Sequence, residues 1–164
     1  MNHTTRTVER FAYIFGIVNL ALGVLSFFSP FVAQKPSRNP VKRVLDSRRR
    51  TGLINTRTGQ LLGMMGATNP PHAVLHSTLG AAGLATRRFP NLARPLMWAM
   101  AGLFAAMAVI GWATTGTKPG IHHVRGVAVD WRDNVIHTVW GLGALLLALR
   151  PELGQSVEDI AENI

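Results

Sequence analysis

Cysteine is absent from the 164 residues, so disulfides, thiolate nucleophiles and cysteine metal sites are excluded. Charge is scarce as well. Only 15% of residues are charged, against about 25% in an ordinary soluble domain. Acidic side chains are the rarer sign, 8 against 17 Lys and Arg. A net charge of +9 raises the question of nucleic acid. The basic residues, however, cluster between long uncharged runs and are not spread over a face. That arrangement fits anionic lipid headgroups and excludes nucleic acid as the expected partner. Catalytic signatures are missing too. There is no HExxH, no G-x-S-x-G, no P-loop and no dinucleotide fingerprint, so catalysis by this chain is not expected.

What is present is apolar sequence in long pieces. Phe11 to Gln34 carries no charge over 24 residues, Thr58 to Thr86 none over 29, Pro95 to Thr117 none over 23 and Asn134 to Leu149 none over 16. A bilayer core about 30 Å thick takes roughly 20 apolar residues in helix. The expectation is an all-α, integral membrane four-helix bundle forming a single transmembrane domain over 1–164. Its spans lie near 11–33, 70–86, 95–115 and 133–150, with a basic loop at 35–57 and an acidic tail at 151–164. The first run follows Arg6 and Arg10 and reads as an anchor that stays, because it exceeds the usual length of a cleaved signal. The last is short and must draw on Asp133 and Arg150 at its ends.

The second run is too long for one span, and Asn69-Pro70-Pro71 divides it. Asn is a preferred N-cap and proline is tolerated in the first helical turn, so a helix starts near Pro70 and runs to about Ala85. This leaves "GQLLGMMGAT", residues 59–68, as a glycine-rich apolar lead-in expected to be half-inserted or re-entrant.

Residues 56–80, "TRTGQLLGMMGATNPPHAVLHSTLG", align without a gap on residues 117–141, "TKPGIHHVRGVAVDWRDNVIHTVWG". Thr56 meets Thr117, Gly59 meets Gly120, Val74 meets Val135, His76 meets His137 and Gly80 meets Gly141, with Asn69 opposite Asp130. We read an internal duplication of a two-helix unit. An even number of spans per unit makes helices two and four parallel, so His76 and His137 are expected at matching depth.

The N-x-x-H and H-x-x-x-G spacing after a glycine-rich lead-in, the later D-N-x-x-H-x-x-x-G and the N-terminal "FAYIFGIVNLALGVLSF" together resemble a bacterial family of four-helix integral membrane proteins. That family is catalogued only as a domain of unknown function and is common in actinobacteria and cyanobacteria. The resemblance covers nearly the whole chain and implies a fold but no activity.

On a helix, i and i+4 share a face. His72, His76, Gly80 and Gly83 therefore form one stripe, and Asp133, His137, Gly141 and Ala144 form another. Three uses of these histidines compete. The leading one is interhelical pairing, the commonest use of polar residues in a bundle, with Asn19 in mid-run as the natural partner. A second is cofactor ligation, in which His76 and His137 hold haem or chlorophyll while Gly80 and Gly141 clear room for the ring. A third is a metal site from His72, His76, Asp133 and His137, two i,i+4 pairs at related positions. His122 and His123 read as an interfacial loop pair. Trp98, Trp112, Trp131 and Trp140 are expected in the aromatic belts at the membrane surfaces.

The loops after spans one and three hold 11 Lys and Arg, the other side 6, which favours both termini outside. The expected protein is an accessory or scaffolding subunit in a bacterial inner (plasma) or thylakoid membrane. It packs with other membrane subunits or with its own copies, and the 35–57 loop lies against anionic lipid. The alternative is a haem- or chlorophyll-binding subunit of a respiratory or photosynthetic complex.

Overall fold

The computed structural model describes residues 3–33 and 53–150. Most of the basic loop and the whole acidic tail 151–164 fall outside these residues. Four α-helices account for most of what is described: α1 (His3–Ser26), α2 (Pro70–Ala85), α3 (Ala93–Thr114) and α4 (Trp131–Leu149). Two of them, Thr7–Ser26 in α1 and Pro90–Thr114 around α3, are long and apolar enough to cross a membrane.

Two polar caps set where the histidine-bearing helices begin. Asn69 sits in extended backbone and its side chain accepts from His72 N, with Pro70 and Pro71 in the first turn. Asp130 does the same for α4 in a reciprocal capping box. Its Oδ1 accepts from Arg132 N and Asp133 N, while Asp133 Oδ2 accepts from Asp130 N at 2.7 Å. Capping of this kind is worth about 1 kcal/mol per helix. It also explains how the shortest charge-free run reaches 19 helical residues. Asp133 folds its carboxylate back onto the helix start, so the helix begins before the charge ends.

The helices pack as two antiparallel pairs, α1 on α2 and α3 on α4. In the first pair glycines let the backbones touch. A Cβ on Gly16 would stand 2.6 Å from the backbone of Gly83 and Leu84. In the second, Gly141 lies against Phe104 and Ala105, and Gly111 against the Asn134 side chain. The pairs meet over a core of Ala12, Met97, Met100, Phe104, Ala144 and Ala148. There Phe15 sets its ring edge-on to Trp140 with centroids 4.1 Å apart. Trp140 is thus half-buried and packs against this core. Trp98, Trp112 and Trp131 are exposed.

The structure departs from an all-α expectation at the connections. Helix α1 stops at Ser26; a short 3-10 turn with Pro30 follows, then β1 (Val32–Ala33). The lead-in read as re-entrant is instead a strand, a turn and a strand: β2 (Gly59–Leu61) and β3 (Ala67–Thr68), antiparallel in the order β1-β2-β3. Leu62 and Gly63 take the left-handed backbone that makes the turn. A second hairpin, β4 (His122–Val124) and β5 (Val127–Val129), turns through Arg125 and Gly126, both at positive φ. Each hairpin immediately precedes a histidine-bearing helix. Both lie at the same end of the bundle, tied together by Asn69 Nδ2 donating to Gly126 O at 2.7 Å and by Thr58 Oγ1 and His123 Nε2 at 3.0 Å.

Alongside the apolar core, large apolar side chains stand exposed on the outer faces while several polar ones are enclosed. Val109, Val139 and Leu146 are 69%, 62% and 70% exposed, whereas Asn19, Asn134 and His137 are at most 1% exposed.

Candidate functional site

Where α1, α2 and α4 converge beneath the two hairpins, three imidazoles meet. His72 and His76 follow one another up a face of α2 and stack with ring centroids 4.8 Å apart. His137 comes from α4, its centroid 6.0 Å from that of His72 and its ring stacked on Phe104 at 5.5 Å. One ring nitrogen from each lies within 4.8 Å of the others.

The outer nitrogens are held by neighbours. His76 Nδ1 donates to Asn19 Oδ1 at 2.8 Å, and Asn19 Nδ2 in turn donates to Phe15 O at 2.9 Å. Asn19 is the partner its mid-helix position predicts. His72 Nδ1 donates to Ala128 O of β5 at 2.9 Å. The inner atoms, His72 Nε2 and His76 Nε2, face each other at 3.0 Å. His137 Nδ1 is buried and has no hydrogen-bond partner among the described residues.

The starts of α2 and α4 reach across to one another in a matched way. His72 bonds the carbonyl of Ala128, and Asp133 Oδ2 accepts from the amide of Ala67 at 2.8 Å. His72 stands opposite Asp133, and Ala67 opposite Ala128, when residues 56–80 are set against 117–141. Helices α2 and α4 thus each send a first-turn side chain to the strand that leads into the other. The pairing of Ala67 with Ala128 is an identity at the same offset as His76 and His137; its signal is present in the sequence but carries no chemistry that would single it out.

Of the four residues expected as a metal set, His72, His76 and His137 come together. Asp133 lines the same cavity, but its Oδ2 is committed to two backbone amides, Ala67 N and Asp130 N. A carboxylate one turn before a histidine serves here as a helix cap, a role that spacing alone does not distinguish from ligation. The glycines one turn beyond the histidines admit helices. A Cβ on Gly80 would run into the Leu20 backbone, and one on Gly141 would come within 3.2 Å of Ala105 N. The cavity at the histidines measures about 40 Å³. Pockets for organic ligands start at about 300 Å³, so a haem or chlorophyll ring has no room between His76 and His137. His122 and His123 lie on β4, away from this cluster, at the hairpin edge.

A second concavity runs along the outside of α3 and α4, about 690 Å³ in volume. It is lined by Trp98, Gly102, Ala105, Val109, Trp112 and Leu142 among others, none of them titratable.

A family model spans this whole arrangement, from within α1 to the end of α4, matching residues 9–150. The chain belongs to the DUF4383 family. The family is described as a domain of unknown function. No curated protein and no solved structure matches the chain.

Proposed function

We propose that this DUF4383 protein is a multi-pass membrane protein of the bacterial inner membrane, built from a duplicated two-helix unit. In this reading it serves as an accessory or scaffolding component and carries out no catalysis of its own. The observation that carries the reading is the exposed apolar surface over an interior that encloses polar side chains. Valine and leucine side chains face outward along α3 and α4 while asparagines and histidines are enclosed. A lipid surrounding makes that distribution favourable, because it leaves the outward apolar surface out of water and requires interior polar groups to find partners.

The crossed bonds His72–Ala128 and Ala67–Asp133 support the duplication, since they exchange equivalent positions between the halves. Helix α2, at 16 residues, is about 24 Å long and fits a bilayer that thins or a span shielded by its neighbours. The described chain leaves at Ala33 and resumes at Leu53 at the end of the bundle carrying both hairpins, and the basic sequence between them makes that the cytoplasmic end by the positive-inside tendency. The outer α3–α4 groove, apolar and floored by small residues, suits a helix of a neighbouring membrane subunit.

Membrane integration is checked by washing membranes from expressing cells at high pH and high salt. We expect the full chain to stay in the pellet and to enter solution only with detergent. Release as a monodisperse soluble protein without detergent would overturn the reading.

A further inference from the structure

We propose that His72, His76 and His137 form a binding site for one divalent transition-metal ion, with zinc the expected occupant. The inference is independent of the scaffolding role and holds whether or not the helices cross a bilayer.

It follows from where the protons must be. The partner of His72 Nδ1 is the carbonyl of Ala128, which only accepts, so His72 carries its proton on Nδ1. Asn19 spends its amide NH2 on Phe15 O, so the atom turned toward His76 Nδ1 is the amide oxygen, which also only accepts. His76 therefore carries its proton on Nδ1 as well. Both neutral rings are left with a lone pair on Nε2, and those two atoms point at each other across 3.0 Å. Two lone pairs at that distance repel unless something positive lies between or beside them. A third imidazole, His137, brings one ring nitrogen within 4.8 Å of theirs, and its Nδ1 is buried with no partner among the described residues.

An ion answers all three features at once. A tetrahedral zinc with Zn–N bonds of about 2.0–2.1 Å sets its ligand nitrogens about 3.3 Å apart. One pair here is already at 3.0 Å and the whole set lies within 4.8 Å, so small side-chain rotations close the site. The outer bonds to Ala128 O and Asn19 Oδ1 are the kind that fix the tautomer and raise the basicity of a ligating histidine. With no cysteine in the chain, and with His72, His76 and His137 the residues whose ligand atoms come together, the donor set is three neutral imidazoles, which suits zinc, copper, nickel or iron and not calcium or magnesium. The cavity of about 40 Å³ beside the rings accommodates one small fourth ligand such as water.

The test uses the full chain purified in detergent and stripped with a chelator. Titration with zinc, followed by calorimetry and elemental analysis after desalting, is expected to give one ion per chain. His72→Ala, His76→Ala and His137→Ala should each abolish saturable uptake, and His123→Ala should leave it within twofold. Asn19→Ala, which touches only the outer nitrogen of His76, should weaken binding about 10- to 100-fold. Cobalt(II) added to the stripped wild-type protein should develop the intense visible bands of four-coordinate nitrogen ligation, a readout that stands even if the histidine variants do not fold. The proposal is overturned if wild-type protein takes up no stoichiometric zinc, if cobalt keeps its pale aqueous spectrum, or if the folded histidine variants bind as wild type does. The 3.0 Å contact would then be a proton shared between His72 and His76.

Discussion

Gly83→Leu is expected to separate α1 from α2 and to lower stability by about 3 kcal/mol, at the upper end of overpacking costs. The reason is that the obstacle is backbone. A Cβ at Gly83 would stand 2.8 Å from Ala12 O and from Gly16 N, and neither can swing aside as a side chain tip would. Gly16, Gly23 and Gly80 make equally close approaches along the same pair, so a displacement at one level opens the others. In the proposed lipid surrounding there is no hydrophobic drive between helices, so such a pair would depend on close van der Waals packing. Gly143→Ala gives the matched control. Nothing lies within 4 Å of a Cβ there, and replacing a mid-helix glycine should add about 0.5–1 kcal/mol. Opposite shifts of the thermal midpoint in one detergent are the expected result; equal shifts would contradict the packing described.

Asp133→Ala is expected to cost about as much by a different route. Its Oδ2 accepts from Ala67 N and Asp130 N, joining β3 to the start of α4. Truncation leaves two buried amides without acceptors, at about 1–3 kcal/mol each. Helix α4 also loses half of its capping box. We expect a midpoint lower by an amount equivalent to about 3 kcal/mol and faster amide exchange at Ala67 and Asp130 than elsewhere in the bundle. Asp133→Asn retains one accepting oxygen and should fall between. Unchanged exchange at Ala67 in Asp133→Ala would show that the carboxylate is not the tie between the halves.

Much of this was legible because it rests on local chemistry. Asn69 before two prolines marks a helix start in any surroundings, and Asn19 alone in an apolar run announces a polar partner. His72 and His76 are placed on one face by helical period. His137 comes from α4, and helical period within α2 alone could not place it beside them. The three short strands β1 to β3 were not legible. β1 pairs with a strand 26 or more residues away, between Ala33 and Gly59, and strands of two or three residues have no periodicity to detect. The capping role of Asp133 was not legible for a related reason. Its i,i+4 relation to His137 is real, yet the capping box that claims its carboxylate begins at Asp130, which lies outside that pattern. Trp140 shows the limit of composition. A tryptophan near a helix end belongs to a belt, and one in mid-helix facing Phe15 belongs to the core.

The absence of cysteine allows a direct test of whether lipid covers the outward apolar faces. Single substitutions Val139→Cys in mid α4, Arg125→Cys in the β4–β5 turn and Arg88→Cys between α2 and α3 place a thiol at three exposed positions. In sealed membranes treated with an impermeant maleimide, Arg125→Cys and Arg88→Cys should react from opposite sides, and Val139→Cys should stay unlabelled until detergent is added. Labelling of Val139→Cys at the rate of the turn position, or reaction of both loop positions from one side, would contradict a bundle that crosses the membrane with its polar residues inside.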